Sequence, residues 1–114
     1  MTANNHDVIF AIVNSGFAED AMEVAREQGV RGGTILNARG AARPDEAAFF
    51  GIAIHHEKDI LMMVVEKANR ANVHNALYRE MGMAKKAQGI VFSLPVSDVA
   101  GLVQIEEQKA PEAE

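Results

Sequence analysis

Residues 8–13 read V-I-F-A-I-V, and residues 60–65 read I-L-M-M-V-V. Both runs are short, unbroken and almost entirely aliphatic, which is typical of a strand that is covered on both faces or nearly so. The turn-forming residues Asn14, Ser15 and Gly16 follow the first run directly. We therefore predict that the two runs are the first and third strands of the fold.

Two more strands and two helices complete the pattern. Residues 34–38 (T-I-L-N-A) predict the second strand, and residues 89–94 (G-I-V-F-S-L), which precede Pro95, predict the fourth. Apolar residues at helical spacing predict a first helix that ends near Gly29 and a second helix that ends at Gly82. The chain therefore runs strand, helix, strand, and then repeats that order.

The segment between the second and third strands is long. It begins with R-G-A-A-R-P from Arg39, a composition that predicts a loop, and the sequence leaves the conformation of residues 45–56 open. The order of elements predicts an α+β fold, namely a ferredoxin-like βαββαβ sandwich. It has a four-stranded antiparallel sheet, two helices on one face and a long loop between strands 2 and 3.

The other face of this sheet has no helix to cover it. Apolar strands with a bare face would expose more hydrophobic surface than monomers usually keep, so we expect several copies to pack sheet to sheet. We predict a single domain over residues 1–105. Residues 106–114 (E-E-Q-K-A-P-E-A-E) form a polar, acidic tail with nothing to bury, and we expect them to be disordered.

Composition excludes several functions for this chain of 114 residues, which has a net charge of -5 and no cysteine. Without cysteine there are no disulfides, thiolate nucleophiles or Cys-based metal sites. The acidic balance argues against nucleic acid as a partner. No secretory signal or long apolar stretch is present, so we expect a cytoplasmic protein. No nucleophile with a base and no rigid pair of carboxylates is recognisable, which favours a binding protein over an enzyme.

Two segments are positively charged despite the acidic balance of the chain. Residues 31–43 contain three arginines, three glycines and no acid, and residues 81–89 contain Lys85 and Lys86 without an acid. Lys58, just before the predicted third strand, is a third source of charge. Such segments hold anions through backbone N–H groups and cationic side chains, and oligomerisation would bring them together in one cleft. Alternatively, the glycines could provide only the backbone geometry of turns, and the cationic side chains could contribute only to solubility.

Three strings in this order resemble the nitrogen regulatory P-II signalling family, over about residues 8–94. They are G-G-T-I-L-N-A-R-G (32–40), Lys58 followed by the apolar third strand, and I-V-F-S-L-P-V (90–96) after a loop. The resemblance implies a homotrimer that binds adenine nucleotides in the clefts between subunits. It also implies that a mobile loop regulates a partner such as a membrane transporter, an enzyme or a transcription factor.

The resemblance also implies roles for particular residues. Thr34 would meet the adenine and Val64 would line it, whereas Gly40 and Arg43 would approach the phosphates. Lys58 matches the lysine that precedes the third strand in the family. Together with the two charged segments, this gives the ligand-binding residues that we predict: Thr34, Arg39, Gly40, Arg43, Lys58, Val64, Lys85, Lys86 and Gly89.

The sequence departs from the family at several of its ligand contacts. The family usually reads T-G-x-x-G-D-G-K where residues 82–89 read G-M-A-K-K-A-Q-G, so Lys85 or Lys86 would replace its final lysine. The basic pair after the fourth strand is missing from residues 97–101, and the family's loop glutamine is Pro44. With fewer cations, ADP, AMP or another small anion is as good a regulatory ligand as ATP, and we expect no cofactor.

Two alternatives share the fold class. A metal-responsive trimer similar to the copper-tolerance family would use histidines and methionines, but His55 and His56 would point to opposite faces of an extended segment, so we predict no metal site. A small hydrolase similar to acylphosphatase lacks its phosphate-loop pattern here. Our leading hypothesis is therefore a trimeric P-II-like signalling protein.

Overall fold

The computed structural model describes residues 5–41 and 56–102. Its elements are β1 (His6–Asn14), α1 (Ala18–Glu27), β2 (Thr34–Gly40), β3 (His56–Glu66), a 3-10 turn (Lys67–Asn69), α2 (Arg70–Met81) and β4 (Ile90–Pro95). The four strands form one antiparallel sheet in the order β2-β3-β1-β4. The predicted ferredoxin-like βαββαβ fold is confirmed.

Strand pairing extends β2 and β3 beyond the boundaries that the sequence predicts. The prediction that a loop begins at Arg39 is wrong, because Arg39 and Gly40 pair with Glu57 and His56. Lys58 likewise lies inside β3 and not before it. Antiparallel hydrogen bonding incorporates residues of low intrinsic strand propensity once the ladder is in register. The predictions for residues 42–55 and for the tail at 106–114 lie outside the described residues.

The two helices cover one face of the sheet, because alternate strand residues point to that side. In β1 these residues are Ile9, Ala11 and Val13, all fully buried. Their neighbours in β3 are Leu61 and Met63, which are buried as well. The helices complete this core with Ala18, Ala21, Met22 and Ala25 of α1 and Val73, Leu77 and Met81 of α2.

The opposite face, which we call the open face, is also apolar. The strand registers place eleven apolar side chains on it: Val8, Phe10, Ile12, Leu36, Ala38, Ile60, Met62, Val64, Ile90, Phe92 and Leu94. The rings of Phe10 and Phe92 stack with centroids 5.1 Å apart. Phe92 keeps 40% of its surface exposed and Leu94 keeps 51%. Over the described ranges, none of the helices packs on this face.

Neither helix in the described part of the chain has the length and apolarity that crossing a membrane requires.

A buried ion pair fixes the start of β1 to the start of α2. The side chain of Asp7 is only 6% exposed, and its two oxygens contact Lys67 Nζ and Arg70 Nε, each at 2.8 Å. Both cations are about half exposed, so solvent screens part of the attraction. The pairs therefore stabilise the connection between β3 and α2 modestly.

Replacing Asp7 with Asn should lower the free energy of unfolding by about 1–2 kcal/mol, because a charge-assisted contact becomes a neutral one in a partly screened site. Urea unfolding at a fixed protein concentration measures the change. Asp98→Asn, at an exposed position, is the matched control and should leave the midpoint unchanged. Equal midpoints for both variants would show that the Asp7 contacts do not stabilise the fold.

Candidate functional site

Asn14 connects Lys58 with the loop before β4. The Lys58 ammonium donates a hydrogen bond of 2.8 Å to Asn14 Oδ1, and Asn14 Nδ2 donates one of 3.0 Å to the Lys86 carbonyl. We call Asn14, Lys58 and residues 82–89 the cationic corner. Lys58 and one of the two positive segments that the sequence indicates therefore meet at one end of the sheet.

Two consecutive turns give the loop at 82–89 its shape. The Lys85 N–H donates to the Gly82 carbonyl at 2.9 Å, and the Gln88 N–H donates to the Lys85 carbonyl at 3.0 Å. Gln88 has a φ of 49°, in the left-handed region that non-glycine residues seldom occupy. Lys85 and Lys86 are exposed. The turns therefore present both ammonium groups to solvent at the surface.

The loop is anchored at its C-terminal end. The Asn14 N–H donates to the Ala87 carbonyl at 2.8 Å, and the Gly89 N–H donates to the Met81 carbonyl at 2.7 Å. Ala87 is buried in the core at 2% exposure. Because these bonds tie the loop to β1 and to the end of α2, its two lysines are carried on a fixed backbone.

Carboxylates flank Lys58 in sequence but do not share its side of the sheet. Strand alternation directs Glu57 and Asp59 to the helix-covered face, whereas Lys58 belongs to the open face. Asp59 Oδ2 accepts a hydrogen bond of 3.1 Å from the Gly16 N–H. An anion that approaches from the open face therefore reaches Lys58 without passing either carboxylate.

The structure places the predicted ligand residues in separate groups. Because successive strand residues point to opposite faces, four of these residues belong to the open face: Thr34, Gly40, Lys58 and Val64. Arg39 belongs to the helix-covered face, so the sheet separates it from them. Lys85, Lys86 and Gly89 belong to the loop of the cationic corner. Arg43 lies outside the described residues, and its role stays a prediction.

Thr34 is distant from the cationic corner within one chain. It pairs with Met62, four residues along β3 from Lys58, a separation of roughly 13 Å at the usual rise per strand residue. The loop at 82–89 lies beyond β1, on the side of the sheet away from β2. Within one chain, a compact ligand therefore cannot contact Thr34 and the cationic corner together.

Gly89, predicted to contact the ligand, has a packing role. A Cβ on Gly89 would overlap the Met81 carbonyl oxygen and lie 3.2 Å from Val13 Cγ1. The backbone at this point approaches the end of α2 too closely for any side chain. A glycine is therefore required here by the fold, whether or not a ligand binds.

The histidines of the described ranges are His6, His56 and His74. His6 is buried, and neither of its ring nitrogens has a hydrogen-bond partner. Within residues 5–41 and 56–102, no group of three or more His, Asp or Glu side chains is placed to hold a metal ion.

Sequence reasoning missed Asn14 as a member of the site. The sequence indicates only that Asn14 belongs to the turn that ends the first strand. The available signal was an amide side chain immediately after a buried strand, where its oxygen and N–H groups can bridge two neighbours. The identity of those neighbours depends on strand register, which the sequence alone does not determine.

Comparison with solved structures finds the same fold in nitrogen regulatory proteins. PII of Arabidopsis thaliana bound to citrate matches with a TM-score of 0.62 and 22% identity, over 90% of this chain and 82% of that one. GlnK of B. subtilis in complex with ATP matches with a TM-score of 0.65 and 15% identity, over 85% of this chain and 86% of that one. A second structure of B. subtilis GlnK matches with a TM-score of 0.61 and 17% identity, over 82% of this chain and 86% of that one.

No protein-family model matches the chain, and no curated protein sequence does. At these identities the similarity to solved structures establishes the fold. The chain is thus a divergent protein with the P-II-like fold, and the resemblance predicted from its sequence is confirmed at that level.

Substituting Gly89 with Ala should destabilise the protein and displace the loop at 82–89, because the added methyl group overlaps the Met81 carbonyl. We expect a loss of about 1–3 kcal/mol, typical of overpacking. Thermal unfolding measures it. Gly32→Ala is the matched control, because a Cβ there meets nothing within 4 Å. If the two variants were equally stable, the packing explanation for Gly89 would be wrong.

Proposed function

We propose that the protein is a P-II-like signal-transduction protein. It assembles as a homotrimer and binds an adenine nucleotide or another small anion between copies. It then regulates a partner protein through the loop between β2 and β3. The observation that carries this proposal is the cationic corner, which lies at the end of an open apolar sheet face. The proposed role is that of a regulator and not of an enzyme.

The open face supports assembly. Its side chains come from all four strands, and those of the edge strands remain substantially exposed in the single chain. A contiguous apolar surface of this kind is typical of a protein interface. Packing of copies through this face would also supply the second chain that brings Thr34 of one copy toward the loop at 82–89 of another.

The charges of the corner support an anionic ligand. Lys58, Lys85 and Lys86 contribute three positive charges, and a lysine ammonium interacts with phosphate or carboxylate as a point charge. The matched structures contain citrate in one case and ATP in another, both of which are anions. We therefore propose ATP, ADP or AMP, or a small polycarboxylate, as the regulatory ligand.

The position of Lys58 supports a regulatory output. The β2–β3 ladder ends at the pair Gly40 and His56, two residues from Lys58 and roughly 7 Å along the strand. An anion held at Lys58 would therefore lie beside the base of the connection between these strands. A change there would shift the population of loop conformations that a partner recognises.

The partner and the location follow from the same proposal. We propose that the regulated partner is a protein such as a membrane transporter and that the chain binds no nucleic acid. We also propose a role in nitrogen regulation and a cytoplasmic location. Dialysis against copper and zinc separates this function from the metal-responsive alternative, which predicts stoichiometric metal binding that His55→Ala removes.

Replacing Phe92 with Asp should convert a trimer into monomers, because it introduces a charge on the open face, midway along the edge strand β4. Native mass spectrometry counts the subunits and retains bound ligand, and circular dichroism verifies the fold. Tyr78→Asp on α2, where the side chain is 73% exposed, is the control and should remain trimeric. A wild-type chain that is monomeric at micromolar concentration would contradict the assembly.

Replacing Lys58 with Met should weaken anion binding by about 10- to 100-fold, the value of one charge-assisted hydrogen bond. Titration calorimetry with ATP, ADP, AMP and citrate measures the dissociation constants. Arg26→Met removes an exposed cation of α1 that is paired with Glu23, and it should not change them. An equal effect of the two substitutions would place the site elsewhere.

A further inference from the structure

Asn14 uses all of its hydrogen-bonding groups at the junction of three segments. Its backbone N–H donates to Ala87 at 2.8 Å, and its carbonyl accepts from the Phe17 N–H at 3.1 Å. Its side chain accepts from Lys58 at 2.8 Å and donates to the Lys86 carbonyl at 3.0 Å. Among these described partners, the Lys58 ammonium is the one charged group.

The partners determine which way the amide points. A lysine ammonium only donates hydrogen bonds, and a backbone carbonyl only accepts them. The Asn14 oxygen must therefore face Lys58, and its nitrogen must face Lys86. The opposite orientation would place two donors together and two acceptors together. An isosteric carboxylate at position 14 could satisfy Lys58 but not the Lys86 carbonyl.

We propose that Asn14 is a positioning residue of the anion site. It holds the Lys58 ammonium beside the loop at 82–89 and transmits a change at one of them to the other. This inference rests on the proposed anion-binding function and names how its two cationic elements are coupled.

The neutral amide leaves Lys58 available to a ligand. An ammonium has three N–H donors, and among residues 5–41 and 56–102 only Asn14 occupies one of them, so the other two are available there to bind an anion. The amide fixes the direction of the side chain without neutralising its charge. Aspartate at this position would neutralise that charge and compete with the ligand.

Coupling follows from the shared amide group. Hydrogen bonds in a chain polarise one another, so donation to the amide oxygen strengthens donation by its N–H group. When an anion draws Lys58 away from Asn14 Oδ1, the bond from Nδ2 to the Lys86 carbonyl weakens. The occupancy of Lys58 is thereby passed to the loop that carries Lys85 and Lys86.

The turn after β1 does not depend on the Asn14 side chain. The Ser15 N–H donates to the Glu57 carbonyl at 3.1 Å, and the Gly16 N–H donates to Asp59 Oδ2 at 3.1 Å. These bonds hold the turn to β3 when the amide is removed. Variants at position 14 are therefore suitable for testing the coupling in a folded protein.

The first experiment needs no ligand. Lys58→Gln is introduced into the wild-type chain and into Asn14→Ala, and the amide resonances of Lys86, Ala87 and Gln88 are recorded by 15N–1H correlation spectroscopy. We expect clear shifts in the wild-type background and less than half of them in the Asn14→Ala background, because the connecting amide is gone. Shifts of equal size in both backgrounds, or none in either, would overturn the proposal.

The second experiment uses ATP as the probe and compares Asn14→Ala with Asn14→Asp by calorimetry. Asn14→Asp should bind ATP about tenfold more weakly than Asn14→Ala, because the carboxylate neutralises Lys58. Its melting temperature should not be lower, because the ion pair that the carboxylate forms with Lys58 offsets its repulsion from the Lys86 carbonyl. If Asn14 had only a structural role, the variant with the lower melting temperature would also bind ATP more weakly. That result would overturn the proposal.

The two experiments separate this inference from the proposed function. If the wild-type chain binds none of ATP, ADP, AMP and citrate, the anion-binding function fails, whereas the resonance shifts still decide whether Asn14 couples Lys58 to the loop. If binding is present and the shifts are independent of Asn14, only the coupling fails.

Discussion

The sheet is apolar on both faces, and two helices cover only one of them. Burial of Ile9, Leu61 and their neighbours under α1 and α2 forms the core of the single chain. The equally apolar open face then requires cover that the described helices do not provide. Self-association through this face would place any ligand cleft at the rim, where polar residues end the strands. The cationic corner lies at such a rim.

The turn that follows β1 has three structural roles. It ends the strand at Asn14, leads into α1 through Phe17, and binds both β3 and the loop at 82–89. Four backbone N–H groups and one side-chain amide take part in these connections, which makes the turn the joint between the two halves of the fold. The positions of Lys58 and Lys86 relative to each other therefore depend on a short run of residues far from both in sequence.

The sequence predicts the elements well because their signals are local. Apolar runs identify all four strands, and helical spacing identifies both helices. Strand ends are less predictable, since Arg39 and Gly40 join β2 only through pairing with β3. Predicting the site is harder still. Strand register decides that Arg39 and Lys58 lie on opposite faces of the sheet, and it also decides which residues Asn14 contacts. No local sequence pattern encodes register.

An acidic chain with a cationic corner favours particular ligands. The overall charge of -5 repels anions at long range, but salt screens this repulsion beyond about 8–10 Å. At contact distance the local lysines dominate. They are single point charges without the forked geometry of arginine, so they bind phosphate and carboxylate groups through charge and not through paired hydrogen bonds. Lys58 also lies beside the base of the β2–β3 connection. An anion bound there, as we propose, would therefore be selected by Lys58 and would also act on that connection.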